Sequence, residues 1–310
     1  AAFTVLVAAA VYISSCKGKK SETTGISGED SLAKVIARGE YLTHNVSQCL
    51  DCHSIRDTGK FSMPIVPGTE GGGAGFAFGK AEGIPGELTP PNITPFALKD
   101  WTDEEIVRAI THGINKKGDT LFPMMPYNAY SRMTKSDIHS IVAYLRTLKP
   151  IERTTPPRKL EIPMSMLGPL PEGNLDNNTM PDPSDKIKYG QYLVTAAVCS
   201  ECHTPMGAQG PDFSKMFSGG FLFDLGFVKV AVANITPDST TGIGAWTEEM
   251  FVNKFRNNAS DQVVNTRPGR ENTIMPWANY GKMTDEDLKA IYAFLRTVKP
   301  ISNKVEKWPK

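Results

Sequence analysis

Cys49-Leu50-Asp51-Cys52-His53 constrains this chain more than any other stretch, and it recurs as Cys199-Ser200-Glu201-Cys202-His203. Two thiols three positions apart reach the two vinyl groups of one porphyrin. The adjoining imidazole is then carried under the ring, where it ligates the iron. The pattern reads as a covalent c-type haem attachment site, present twice. A zinc centre is one competing reading, and it needs both cysteine pairs in one site or further His ligands at tight spacing. A thioredoxin-like dithiol is the other, and it needs one pair in a βαβ setting and no His. Two complete motifs favour haem over both.

The rest of the chain repeats with the motif. Lys188-Tyr189-Gly190-Gln191-Tyr192-Leu193 echoes Arg38-Gly39-Glu40-Tyr41-Leu42. Asn-Ile-Thr-Pro stands at 92–95 and again at 234–237, and Trp-Thr opens residues 101–104 and 246–249. Residues 125–151 align without a gap to 275–301, with 14 of 27 identical. Two homologous domains follow, over 31–151 and 186–302. Helices are expected at 31–45, with Leu32, Val35, Ile36 and Leu42 on one side, and after Thr102, where Glu105 completes a capping box. A last helix follows Thr134, with Asp137 in a capping arrangement and Ile138, Ile141, Val142 and Leu145 at the spacing of a buried face. Residues 60–91 are Gly- and Pro-rich and read as irregular structure wrapping the cofactor edge. Their glycine run fails as a phosphate loop, because Ala74 and Ala81 occupy required Gly and Ser/Thr positions.

Each motif His leaves a sixth iron position. Met125 and Met275 are the candidates: both lie 72 residues after their His, in Met-Pro-aromatic contexts before the last helix. A thioether there raises the reduction potential, as suits an electron carrier. The expected iron ligands are therefore His53 with Met125 and His203 with Met275, and Cys49, Cys52, Cys199 and Cys202 hold the haems. Met124 has Ile274 opposite it and is core filler. His44, His112 and His139 have no His counterpart and are surface or helix-end residues. Trp101 and Trp246 suit either core packing or a haem propionate.

Residues 1–15 form an apolar, small-residue run, too short for a membrane span and suited to the core of an export signal. No Met or basic leader precedes it, so that signal is expected to begin upstream. Ile13-Ser14-Ser15-Cys16 resembles the bacterial lipoprotein box, which makes Cys16 a lipidation site after a 1–16 signal segment. Residues 17–30 then read as a tether. Between the domains, residues 152–185 carry seven of the chain's 23 prolines and read as a semi-rigid strap, with Met164, Met166 and Leu167 placed to pack on a domain surface. Residues 303–310 are a tail. A net charge of +1 gives no polybasic face, so nucleic acid is excluded as a partner.

With these motifs in each half, the chain resembles dihaem c-type cytochromes, like the cytochrome subunits of bacterial membrane-bound alcohol, aldehyde or sugar dehydrogenases. The resemblance covers residues 33–150 and 186–302. It implies an all-α fold of two tandem class I-like cytochrome c domains. In each, N- and C-terminal helices cross, with Gly39 and Gly190 admitting the helices that carry Tyr144 and Phe294. It implies an electron carrier on the periplasmic face of a bacterial membrane. The donor would be a dehydrogenase or quinol-oxidising complex, and the acceptor an oxidase or another cytochrome. A dihaem peroxidase is the enzyme alternative, and a sensory or assembly module using haem structurally is the other. A Pro two residues past the ligand often accepts the imidazole N–H in such proteins. Pro205 is expected to do so in the second half and Ile55 in the first.

Overall fold

The computed structural model describes residues 28–80, 84–166, 169–207 and 210–310. Cys16 and its lipoprotein-like segment lie outside them. In the first half, helices α1 (Gly28–Tyr41), α2 (Cys49–Cys52), α3 (Pro95–Leu98), α4 (Asp103–His112), α5 (Tyr127–Tyr130) and α6 (Lys135–Leu145) follow in order. The second half has α7 (Lys186–Ala196), α8 (Cys199–His203), α9 (Glu248–Ala259), α10 (Asp261–Val264), α11 (Trp277–Tyr280) and α12 (Asp285–Leu295), in which α10 is an addition and α3 has no counterpart among the described residues. Strands are limited to short two-stranded pairs. The fold is all-α in two cytochrome-like halves.

The first helix differs from its expected form. α1 ends at Tyr41, and residues Leu42–Val46 continue as a wider π-helical turn that buries Leu42, Thr43 and Val46. Such a turn places the chain for the abrupt reversal at Gln48. α4 begins as expected: the Glu105 amide donates to Thr102 Oγ1 at 3.2 Å, and the Thr102 amide to Glu105 Oε2 at 2.9 Å.

The terminal helices cross at glycine in both halves. A Cβ on Gly39 would lie 1.8 Å from the Ser140 carbonyl oxygen, and one on Gly190 would lie 1.9 Å from that of Ala290. Tyr144 and Phe294 stand beside these crossings, as expected. No other residue allows the backbones so close.

The cap of α6 is half of a box. The Asp137 amide donates to Thr134 Oγ1 at 3.2 Å, but the Asp137 carboxylate turns away from the helix end. It accepts Arg38 Nε and Nη2, at 2.9 and 2.7 Å, and the hydroxyl of Tyr192 from the other half, at 2.6 Å. The Thr134 amide finds its acceptor in that same Tyr192 oxygen, at 3.4 Å. The second half reciprocates. Tyr41 donates to Asp287 at 2.5 Å and accepts the Thr284 amide at 3.0 Å. Tyr189, at the position of Arg38, supplies the second bond to Asp287, at 2.9 Å. Each half thus completes the helix cap of the other. The buried apolar residues likewise form one continuous cluster through both halves, including Leu42, Ile138, Leu193 and Leu288.

This corrects the role expected of the linker. The 152–185 segment is fastened to the first half, through Asn178 Nδ2 to the Ser131 and Met133 carbonyls and Lys159–Leu160 pairing with Gly86–Glu87. Among its described residues, Leu175 is the apolar one it buries. Met166 is 69% exposed, and Leu167 lies outside the described residues. Shared core and reciprocal caps, not proline stiffness, set the relation of the halves. Residues 303–310 fold back on the second half, where Trp308 Nε1 donates to the Asn272 carbonyl at 3.0 Å.

Candidate haem-binding sites

Each attachment motif is a single helical turn entered through a left-handed residue. Gln48 has φ 56° before Cys49, and Val198 has φ 49° before Cys199. A β-branched residue at positive φ is strained, and it persists only where its surroundings hold it. The clamp is the same in both halves. Tyr130 donates its hydroxyl to the Ser47 carbonyl at 2.6 Å, and Tyr280 to that of Ala197 at 2.7 Å. Both tyrosines are buried and come from α5 and α11, which follow Met125 and Met275.

The motif histidines are buried. His53 Nδ1 lies 2.6 Å from the Pro91 carbonyl oxygen, and His203 Nδ1 lies 2.8 Å from that of Ala233. A carbonyl only accepts, so Nδ1 carries the proton and Nε2 keeps its lone pair for a metal. Burial lowers both imidazole pKa values, against the opposing effect of these bonds, and holds the rings neutral.

The acceptors are not those expected. The Ile55 carbonyl is taken by the Val66 amide, and the Pro205 carbonyl by the Asp212 amide. The His–Cys turn points its imidazole the other way, toward the residue before each Asn-Ile-Thr-Pro. That gives the repeated tetrapeptide its purpose. Asn92 Oδ1 accepts the Thr94 amide and hydroxyl, and its Nδ2 donates to the Ile151 carbonyl at 2.7 Å. Asn234 does the same with Thr236 and Ile301. Each Asn pins the segment whose preceding carbonyl orients the ligand. The glycine-rich stretch joins in: the Gly73 amide donates to the His53 carbonyl, and the Gly219 amide to that of His203, both at 2.8 Å.

No two of the four described cysteines are joined in a disulfide. Burial pushes Cys49 and Cys199 up to about 12, with the neighbouring cysteine adding to the effect. Dithiol exchange needs the reverse, a lowered thiol pKa. Among the described residues no group of three His, Cys, Asp or Glu side chains is placed to hold a metal ion. Both competing readings of Cys-x-x-Cys lose support, and the residues fit a covalently attached haem. Burial also pushes the Cys202 thiol up, with Glu201, Cys52 and Asp51 adding to the effect, and so the two turns lie near one another.

Met125 and Met275 occupy matching turns. Each is half-buried against the core, and its carbonyl accepts the amide two residues on, from Tyr127 or Trp277, at 2.8 Å. His44 is bonded to Tyr144 and His112 to the Gly173 carbonyl. Trp101 and Trp246 pack against the core.

The model of the family described as cytochrome c matches this chain twice, over residues 36–149 and 187–299. The chain belongs to the cytochrome c family. Its two domains carry one covalent haem c each, and its chemistry is electron transfer. The chain is 29% identical over 295 residues to the alcohol dehydrogenase (quinone) cytochrome c subunit of Gluconacetobacter polyoxogenes, covering 88% of this chain and 58% of that subunit. It is 30% identical over 277 residues to the fructose dehydrogenase cytochrome subunit of Gluconobacter japonicus, covering 85% and 52%. A diheme cytochrome c-type protein of Cereibacter sphaeroides is 26% identical over 318 residues, covering 96% of each chain. The chain thus spans a little over half the length of the two dehydrogenase subunits.

Pro91, Ala233, Tyr130 and Tyr280 are functional positions that sequence reasoning missed. The tyrosines had a signal, since they align across the repeat. Pro91 and Ala233 had none, because a backbone carbonyl serves whatever its side chain is.

Proposed function

We propose that this cytochrome relays electrons from a membrane dehydrogenase to a respiratory acceptor, with His53 and Met125 on one iron and His203 and Met275 on the other. The observation that supports the histidine assignment is that Nδ1 of each lies within hydrogen-bond distance of a fixed carbonyl, at 2.6 and 2.8 Å, which leaves Nε2 free for a metal. Haem would supply one-electron chemistry when bound, and a thioether ligand from Met125 or Met275 would favour its reduced state. The protein's part is to hold the ligands still. Tyr130 and Tyr280 fasten each Met-bearing loop to the attachment turn, and Asn92 and Asn234 fix the His acceptors. The relatives named above are cytochrome subunits and a dihaem cytochrome, so they support the carrier reading and lend none to a peroxidase.

Export and lipidation at Cys16 complete the proposal, with attachment to the periplasmic face of a bacterial membrane by an acyl chain. Among the described residues no helix is long and apolar enough to cross a membrane. Cys16→Ser is expected to release the protein from the membrane fraction with both haems retained.

Ligation is tested by the weak red-edge absorption band of oxidised methionine-ligated haem. It is expected to fall in two stages with Met125→Ala and Met275→Ala, and to survive Met124→Ala. If Met124→Ala alone removes it, the ligand is one position earlier. Fast, stoichiometric carbon monoxide binding at one haem of the reduced native protein would promote the peroxidase reading.

A further inference from the structure

The two Met-bearing loops are alike in sequence and unlike in support. Among the described residues, no hydrogen bond from the second half reaches residues 120–126. The Met275 loop, by contrast, is held by the first half. Ser62 Oγ donates to the Met275 carbonyl at 2.8 Å. The Ser62 amide donates to Asn272 Oδ1 at 3.0 Å, and Asn272 Nδ2 donates to the Lys60 carbonyl at 2.8 Å. Four residues past Met275, Asn279 Nδ2 donates to Gln48 Oε1 at 2.8 Å, beside the first attachment turn.

The turn that reaches across is itself strained. Ser62 and Met63 have φ of 63° and 49°, two consecutive left-handed residues with no glycine between them. Surroundings must hold such a turn, and they come from both halves: Arg56 of the first half donates to the Met63 and Ser62 carbonyls at 2.6 and 2.9 Å, and the second half supplies the rest. Met63 is buried against Val228 and Val230, with Phe223, Leu225 and Ile274 packed around them. Among the described residues, the corresponding stretch of the second half makes no hydrogen bond to the first half. It follows the second motif with Met206 and Phe213 exposed.

We propose that the Ser62–Met63 turn is a positioning element for the second iron site, holding Met275 from across the domain boundary. Met125 has no such support. The second haem's axial ligand therefore answers to the first domain, and the two haems, though attached by identical motifs, differ in how firmly the sixth position is closed. The proposal rests on Met275 being the ligand of the second iron.

The test uses the full dihaem protein carrying Met125→Ala, so that the remaining red-edge band reports the second site alone. Adding Ser62→Ala is expected to weaken that band and to speed carbon monoxide binding at this haem by about three- to tenfold, the effect of one lost hydrogen bond. Ser62→Gly removes the hydroxyl while relieving the strained φ, so it folds where the alanine variant fails, and it is expected to show the same change. Phe213→Ala, in the unpartnered counterpart stretch, is expected to change neither signal. If both Ser62 variants keep two haems, an unchanged band and an unchanged carbon monoxide rate, the turn is packing alone and the proposal is wrong. If Met275→Ala in the same background leaves the band intact, Met275 is not the ligand, and the assignment and this proposal both fall.

Discussion

Asn92 and Asn234 show how much one side chain settles here. Each is buried, closes a turn onto a threonine two residues on, and ties that turn to the chain leaving the last helix. The carbonyl just before each one orients a haem histidine. Replacing Asn234 by Ala leaves the Thr236 amide without its acceptor and takes one partner from the Thr236 hydroxyl and one from the Ile301 carbonyl, which keep a 3.2 Å bond to each other. A loss of about 1–3 kcal/mol in unfolding free energy is expected by denaturant titration. Asn234→Ala is also expected to shift the potential of one haem only, read as movement of one step in a two-step redox titration. If the stability loss comes with both steps unmoved, the asparagine has no part in orienting His203. The repeat marked both asparagines in the sequence. Their task was not legible, because the group they position belongs to the main chain.

The crossings of α1 with α6 and α7 with α12 are set by glycine. Gly39→Ala drives a methyl group into the Ser140 carbonyl, and the helices must separate. The expected cost is about 3 kcal/mol or more, measured by thermal or denaturant unfolding, with reduced haem incorporation. Gly173→Ala, with nothing within 4 Å of the added carbon, is the control and is expected to be neutral. The reciprocal caps belong to the same scale. Tyr192→Phe removes a hydroxyl from Asp137 and an acceptor from the Thr134 amide, and is expected to cost about 1–3 kcal/mol. The bond of Tyr189 to Asp287 also carries a pH dependence. Burial and the Asp287 charge push the Tyr189 hydroxyl up to about 12 from an ordinary value of 10.0. Its folded value lies above its unfolded one. Its contribution is therefore complete below pH 10 and is lost as pH climbs toward 12. Unfolding midpoints are expected to fall across that window, and less so in Tyr189→Phe.

For the molecule as a whole, two haems are attached independently, and intact mass should exceed that of the polypeptide by two haem groups. Cys199→Ala with Cys202→Ala is expected to remove one of them. The halves do not behave as beads on a string, since their core is continuous and each cap is finished by the other half. A single cooperative unfolding transition is expected by calorimetry. Two separate transitions in the holoprotein would show that the interface contributes little.

Attachment chemistry, the two-fold repeat, the helix positions and the Met-Pro-aromatic loops were all legible in the residues. They depend on spacing along one stretch of chain, and short-range geometry carries over directly into structure. Gly39 and Gly190 were expected as crossing points only through the family the motifs resemble, since periodicity marks the helices and not where they cross. The His acceptors were not, because the chain reverses after each motif and brings up a carbonyl 38 residues on in the first half and 30 in the second. Nor was the fate of Asp137, read as a cap and diverted to the boundary by Arg38 and Tyr192. The unequal support of the two Met-bearing loops is likewise a tertiary fact. Met125 and Met275 share the Met-Pro-aromatic pattern in sequence, and only packing of one half on the other brings a serine to the carbonyl of one of them.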